Sequence, residues 1–164
     1  MRTTNYLSLD EKKVSHVVVA LNQLLADYQV FYANLRGLHW NVKGKGFFQL
    51  HAKYEGYYND AAEKVDEIAE RILQLGGTPE NRFSEYLKVA TLKEDGFTPA
   101  GGDGMRKVLD SLTVLIKQER HIVELASEAE DEVTVGLMDD FLVGQEKNVW
   151  MISAFLEECS CAHQ

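Results

Sequence analysis

The segment LHWNVKGKGFFQLH carries two histidines, His39 and His51, on either side of a glycine-rich break. The Gly44-Lys45-Gly46 run interrupts helical patterns on both sides, and its glycines permit a tight turn that brings the two histidines back together. Imidazole is the commonest protein ligand for transition metals. A metal site is therefore one interpretation of this segment, and an ordinary loop between two helices is the other.

A pair of carboxylates follows farther along the chain, in the segment EKVDEIAER. Asp66 and Glu70 are four residues apart, so a helix would place them on one face, one turn apart. Ala62, Ala69 and Leu73 continue this strip with small and apolar side chains, which favours a covered surface where a carboxylate needs a cation. A solvated acidic face is the alternative.

The histidines and the carboxylates cannot bind the same ion within one chain. His51 and Asp66 fall on one predicted helix, and about 1.5 Å of rise per residue separates them by roughly 22 Å. A two-fold axis between neighbouring helices would bring the histidines of one chain to the carboxylates of another, twice by symmetry. The spacing therefore predicts a site that belongs to a dimer.

The usual di-iron centre within a single helical bundle is excluded by the sequence. Such centres use a Glu-x-x-His motif on each of two helices, and no glutamate in this chain is followed by histidine three residues later.

Apolar residues at spacings of three and four predict four long helices and an all-α fold. The first helix opens with a capping box at Ser8–Glu11, and the second runs from Phe47 to about Leu75. Asp103 is the expected N-cap of the third helix, and an acidic bend leads to the fourth. With two short turns and one long middle crossover, which holds a short helix starting near Ser84, this order is typical of a ferritin-like four-helix bundle.

Composition fits one soluble domain over residues 1–164, with 45% hydrophobic and 26% charged residues. No apolar run approaches the roughly 18 to 20 residues that cross a bilayer, and the N-terminus lacks the apolar core of a secretory signal. We therefore expect a cytoplasmic protein without a membrane partner. Cys159 and Cys161 lie at the extreme C-terminus, where they cannot staple the fold, in agreement with a reducing compartment.

Together, LHWNVKGKGFFQLH and the later VDEIAERILQLGGTP give the chain a resemblance to the Dps family, the miniature ferritins of bacteria and archaea. The resemblance covers nearly the whole chain. It implies that His39 and His51 of one subunit, with Asp66 and Glu70 of its two-fold mate, bind iron. Glu55, one turn after His51, would reach the same ion directly or through water.

The family resemblance also implies a dodecameric hollow shell and an enzyme, a ferroxidase. Fe(II) would be oxidised at the two-fold interfaces, preferably by hydrogen peroxide, and ferric mineral would be stored inside, protecting against oxidative stress. Zinc or manganese would also suit the ligands. Trp40 resembles the family tryptophan thought to shield against radicals, whereas packing at an interface would explain it without redox chemistry.

Three weaker signals leave alternatives open. One or two members of an acidic cluster would line iron-entry pores, although a solvated turn explains any single one of them; the cluster is Glu128, Glu130, Asp131 and Glu132. The tail CSCAH is either a soft metal-binding tip or a mobile terminus. His16 and His121 have the pattern of surface histidines.

DNA binding is expected to be weak or absent. The net charge is -9, Arg2 is the only basic residue before Ser8, and no lysine or arginine follows Lys147. The alternative to a ferroxidase is a shell that sequesters metal or coats DNA without oxidising iron.

Overall fold

The computed structural model describes the backbone of residues 3–161 and the side chains of residues 3–157. Within that range the secondary structure is helical, apart from an isolated bridge between Lys43 and Ala100. The helices are α1 Thr4–Leu7, α2 Glu11–Asn41, α3 Phe47–Gln74, α4 Phe83–Val89, α5 Gly101–Glu128 and α6 Glu132–Cys161. The prediction of an all-α, ferritin-like four-helix bundle is confirmed, with α4 as the short helix in the crossover between α3 and α5.

The predicted apolar stripes form the core. α2 packs against α3 and α5, and α5 packs against α6. The largest fully buried apolar side chains come from all four long helices and include Leu21, Leu24, Tyr54, Ile68, Leu115, Ile122 and Met138. Burial of such side chains is the main favourable term in the folding of the bundle.

The capping box predicted at the start of the first long helix is wrong. Ser8 instead ends the short helix α1, in a left-handed conformation with φ 56°. Asp10 caps α2, and its carboxylate accepts hydrogen bonds from the backbone N–H groups of Lys12 at 2.8 Å and Lys13 at 3.2 Å. These bonds hold the pKa of Asp10 below its ordinary value, the bond from Lys13 being the larger cause. Serine and aspartate are both good N-caps, so the sequence pattern did not distinguish Ser8 from Asp10, which lies two residues later.

The N-cap predicted for the third long helix is also wrong. α5 begins at Gly101 and its N-cap is Ala100, whose extended backbone is paired with Lys43 in the isolated bridge. That pairing fixes where the extended chain ends, so the helix starts before Asp103. Asp103 lies in the first turn of α5, where its negative charge still complements the helix dipole.

Three polar side chains of α2 hold the crossover against the bundle. Asn22 accepts from the backbone N–H of Glu80 at 3.0 Å, and buried Asp27 accepts from that of Leu92 at 2.7 Å. Asn34 accepts from the N–H of Asp95 at 2.8 Å and donates to the Lys93 carbonyl at 2.9 Å. These bonds satisfy backbone groups of a segment with little secondary structure of its own.

Gly104 marks a close approach of α5 to the neighbouring helices α2 and α3. A Cβ at this position would lie 2.3 Å from the Tyr54 hydroxyl and 3.2 Å from Leu38 Cδ2. We expect Gly104→Ala to lower the free energy of unfolding by about 1–3 kcal/mol, because a buried side chain must shift to make room. Denaturant unfolding would measure the change.

Gly102→Ala is the matched control on the same helix, since its Cβ would meet nothing within 4 Å. It should be neutral or slightly stabilising, because alanine favours helix more than glycine does. Equal effects of the two substitutions would contradict the predicted clash.

No helix in the described part of the chain is both long enough and apolar enough to cross a membrane.

Candidate metal centre

The two histidines of the opening segment are clamped together by two reciprocal hydrogen bonds. His39 lies in the last turn of α2 and His51 near the start of α3. His39 Nδ1 is 2.8 Å from the backbone carbonyl oxygen of His51, and His51 Nδ1 is 2.8 Å from that of His39. The rings stack with centroids 3.7 Å apart and planes 20° apart. The two histidines therefore converge, as the sequence predicted.

These carbonyl partners determine where the ring protons lie. A carbonyl oxygen only accepts, so each Nδ1 carries the proton and donates it. In a neutral imidazole the other nitrogen, Nε2, then keeps its lone pair, which is the atom that a metal ion needs. The backbone carbonyls therefore leave Nε2 of both rings available to a metal ion, and no carboxylate side chain is needed to hold the rings.

The glycine break makes this clamp possible. Gly44 and Gly46 have φ of 82° and 83°, a left-handed conformation that favours glycine. Gly46 is the N-cap of α3, and the Phe47 N–H donates to the Gly44 carbonyl at 3.1 Å. The chain reverses over this short segment, so that α3 starts alongside the end of α2.

Aromatic rings fix the histidine pair on both sides. Phe47 stacks on His51 at 5.1 Å between centroids, and Tyr58 meets His39 edge-on at 5.3 Å. Tyr58 in turn contacts Tyr32 edge-on at 6.1 Å. These contacts restrict ring rotation, which keeps both Nε2 atoms in one orientation.

Glu55 lies one helical turn after His51 and is exposed. Desolvation raises the pKa of Tyr58, and the negative charge of Glu55 is the next largest cause. The charge of Glu55 therefore acts on the Tyr58 hydroxyl next to the histidine clamp.

Asp66 and Glu70 lie farther along the same helix and are exposed in the single chain. α3 runs without interruption from Phe47 to Gln74, so His51 and Asp66 are separated as the spacing predicted. Among the described residues, no three His, Cys, Asp or Glu side chains form a group able to hold a metal ion. The chain by itself brings together His39 and His51, and it leaves the carboxylate pair apart from them.

Apolar side chains lie exposed near both halves of the candidate centre. Trp40 is 64% exposed beside His39, with the Arg36 guanidinium 4.8 Å above its ring. Phe48 lies exposed beside the turn, and Leu73 is exposed three residues after Glu70. Exposed apolar groups therefore lie beside the histidines and beside the carboxylates.

Asp131, one of the four pore candidates, has a structural role. It is 2% exposed and forms an ion pair with buried Arg71, with Arg71 Nη2 2.5 Å from its Oδ1. Its carboxylate also accepts from the backbone N–H of Thr134 at 3.1 Å, at the start of α6. The other three candidates are exposed at the bend; they are Glu128, Glu130 and Glu132.

The chain is similar to known ferritin-like proteins. A family model described as a ferritin-like domain matches residues 18–162. A protein of Porphyromonas gingivalis named DNA protection during starvation protein is 57% identical over 90% of this chain and 92% of its own. The chain belongs to the Dps family of ferritin-like proteins.

Solved Dps structures share the fold closely. A Dps protein of Vibrio cholerae O1, described as a member of a broad superfamily of ferritin-like diiron-carboxylate proteins, superposes with a TM-score of 0.89 at 49% identity. That match covers 90% of this chain and 93% of the Vibrio chain. A Dps protein of Bacillus brevis gives a TM-score of 0.85 at 35% identity, over 88% of this chain and 97% of its own.

A buried polar cluster in this Dps bundle was not predicted from the sequence. Glu119 and Gln145 are buried and contact each other and Tyr28. The signal was present, since Glu119 lies four residues after Leu115 and three before Ile122, on the apolar stripe of α5.

The remaining candidates stay outside the centre. His16 and His121 are exposed, and His121 lies 3.6 Å from Glu124, in agreement with a surface position. The side chains of Cys159 and Cys161, and all of His163, lie outside the described residues.

Proposed function

We propose that this Dps-family protein is a ferroxidase and iron store. It oxidises Fe(II), preferably with hydrogen peroxide, at sites between subunits, and it keeps Fe(III) mineral in a hollow shell that protects against oxidative stress. The observation that carries the proposal is the reciprocal His39–His51 clamp, which leaves two Nε2 lone pairs beside an exposed apolar surface. Membership of a ferritin-like family supports iron as the substrate.

Each proposed ligand has a distinct task. His39 and His51 bind Fe(II) through neutral nitrogen, which suits a ferrous ion. Asp66 and Glu70 of the two-fold mate add negative charge, which stabilises Fe(III) more than Fe(II) and so favours oxidation. Glu55 is the fifth proposed ligand, directly or through water.

The incomplete ligand set of one chain supports a site built between two copies. The described residues of one chain offer no cluster of three metal-binding side chains, while half-sites lie at separate places along α3. A two-fold axis completes two sites at once and buries Trp40 and Leu73, which lie exposed in the single chain. We propose that six such pairs form a dodecamer.

The shell would admit iron through acidic openings and would bind DNA weakly. Glu128, Glu130 and Glu132 are the pore candidates that remain after Asp131 is assigned to its ion pair. A negative opening concentrates Fe(II) by its field. The net charge of -9 opposes binding to phosphates, so the proposal assigns protection to the removal of iron and peroxide.

Replacement of both carboxylates tests the function directly. The double variant Asp66→Asn/Glu70→Gln is expected to oxidise Fe(II) at least about 100-fold more slowly with peroxide, because the two carboxylates no longer place negative charge beside the iron. The measurement is Fe(III) absorbance after anaerobic Fe(II) loading and peroxide addition, with oxygen as a comparison oxidant. Light scattering should give about 223 kDa in both proteins, for twelve chains of 18.6 kDa.

The control is Glu63→Gln/Glu67→Gln, which removes the same number of exposed acids at the same spacing on α3. It should keep the wild-type initial rate when iron is limiting. Equal rates in wild type and the Asp66→Asn/Glu70→Gln variant would reject the site, and a shell that only sequesters metal would then describe the protein.

A further inference from the structure

A fully buried glutamate on α5 has no cationic partner among the described residues. Glu119 on α5 is 0% exposed. The Tyr28 hydroxyl, from α2, donates to Glu119 Oε1 at 2.7 Å, and Gln145 Nε2, from α6, donates to the same oxygen at 2.7 Å. Gln145 Nε2 also donates to the Tyr28 oxygen. Both hydrogen bonds to Glu119 therefore reach one oxygen of the carboxyl group.

Two acceptor oxygens of this cluster have no partner. Glu119 Oε2 and Gln145 Oε1 are buried and make no hydrogen bond with the described residues. They belong to two side chains that already meet through Gln145 Nε2 and Glu119 Oε1. A buried polar atom without a hydrogen-bond partner destabilises the folded state, and more so if it carries charge.

The charged groups around the cluster do not neutralise Glu119. α3 contributes Lys64 and Asp60, which pair with each other, and the Lys64 ammonium lies 5.1 Å from the Phe141 ring centroid. α2 contributes the neutral Tyr28 hydroxyl, and α6 contributes the neutral Gln145 amide. A bare carboxylate in such surroundings would carry an unpaired buried charge.

We propose that Glu119 is buried as a carboxylic acid, with a proton on Oε2 that it donates to Gln145 Oε1. A carboxylic acid and a primary amide each present one donor and one acceptor side by side, so the two groups can form a closed pair. The proton thus gives a partner to both orphaned oxygens. The bundle centre is a proton-binding element that tightens in acid and loosens when the proton leaves.

The pKa of Glu119 agrees with this geometry. Burial raises it to about 7, although the hydrogen bonds from Tyr28 and Gln145 and the charge of Lys64 oppose the shift. Asp60 adds to the rise. Burial and the neighbouring Glu119 raise the pKa of Tyr28 well above its ordinary value, so this hydroxyl stays a neutral donor.

The sign of the effect on stability follows from linkage. The ordinary pKa of the group is 4.5, and the folded protein raises it to about 7, so the folded state binds more protons between these values. The stability that the group contributes is therefore complete below about pH 4.5 and is lost as the pH rises through about 7. An ion-paired carboxylate has the opposite dependence.

Stabilisation of the core by acid bears on mineral formation, an inference that rests on the proposed function. Hydrolysis of ferric ions to an oxide mineral releases protons, so the shell is acidified as it fills with mineral. A subunit whose core gains stability on acidification would stay folded under these conditions.

Glu119→Gln tests the proposal because glutamine imitates the protonated acid, with an N–H donor in place of the O–H. The experiment is thermal unfolding of the assembled, iron-free protein between about pH 5 and pH 8.5. The variant should match wild type near pH 5 and unfold ~5 °C or more higher at pH 8.5. Glu124→Gln, an exposed glutamate on the same helix, should follow wild type at every pH.

Infrared spectroscopy decides the point even if Glu119→Gln fails to assemble. Wild type at about pH 6, where ordinary glutamates are ionised, should show the carbonyl stretch of a protonated carboxyl, and this band should fade as the pH rises above 7. Absence of the band, or the same pH dependence of unfolding in wild type and Glu119→Gln, would overturn the proposal. Neither measurement uses iron, so failure of the Glu119 proposal can be distinguished from failure of the proposed ferroxidase function.

Discussion

Subunits that carry His51→Ala and subunits that carry Asp66→Ala are each expected to lose at least about 100-fold in peroxide-driven Fe(II) oxidation. When the two are unfolded, mixed in equal amounts and reassembled, we expect about one quarter of the wild-type sites to return. The measurement is the initial rate of Fe(III) formation per subunit, at limiting iron.

The expected fraction follows from a site shared between two chains. Random pairing makes about half of the two-fold pairs mixed, and each mixed pair has one complete site out of two. The complete site combines the intact histidines of the Asp66→Ala chain with the intact carboxylates of the His51→Ala chain. A site within one chain would recover nothing, because every chain would be defective.

A second mixture provides the control. His39→Ala and His51→Ala subunits should not rescue each other, because the clamp places both histidines of a site on the same chain. Recovery in this mixture, or none in the first, would contradict the proposed division of ligands.

Asp131→Ala is expected to lower the free energy of unfolding by about 3–5 kcal/mol, because it leaves the buried Arg71 guanidinium without its anion. It also removes the acceptor for the Thr134 N–H at the start of α6. Denaturant unfolding of the iron-free protein would measure the loss.

The comparison variant is Glu146→Ala, which breaks an exposed ion pair with Arg120. Exposed pairs are worth about 0–1 kcal/mol, so this variant should remain close to wild type. If both variants have the same small effect, the Asp131–Arg71 pair does not stabilise the corner between α3 and α6. If Asp131→Ala slows iron uptake without lowering the free energy of unfolding, Asp131 is a pore residue instead.

The fold could be predicted from the sequence wherever a pattern allows only one physical arrangement of the chain. Apolar stripes on four long helices have to be buried against one another, and Gly44 and Gly46 permit the reversal that begins α3. The short crossover helix was also predicted, and it lies at Phe83–Val89. Helix starts were predicted less well, because Ser8 and Asp10 both have capping side chains and the pattern did not show that Ser8 ends the short helix α1.

The candidate site was also predicted from the sequence only in part. The spacing of His39 and His51 around a glycine break predicted their convergence, and the structure shows it. The spacing also predicted that the carboxylates come from a second chain, whereas the resemblance to Dps proteins named iron as the metal. Whether Asp66 and Glu70 reach the histidines of another chain depends on subunit packing, which a pattern in one chain does not encode.

The sequence by itself determined the helices, the turn that joins the two histidines, and the separation of the histidines from the carboxylates along one helix. Only the tertiary structure decided which ring nitrogens are open, since backbone carbonyls of the facing helix fix the protons on Nδ1. Only the structure showed that Asp131 is an ion-pair residue and that Glu119 is buried beside Gln145. Polar side chains take their roles from partners distant in the chain, and hydrophobic periodicity records burial without recording those partners.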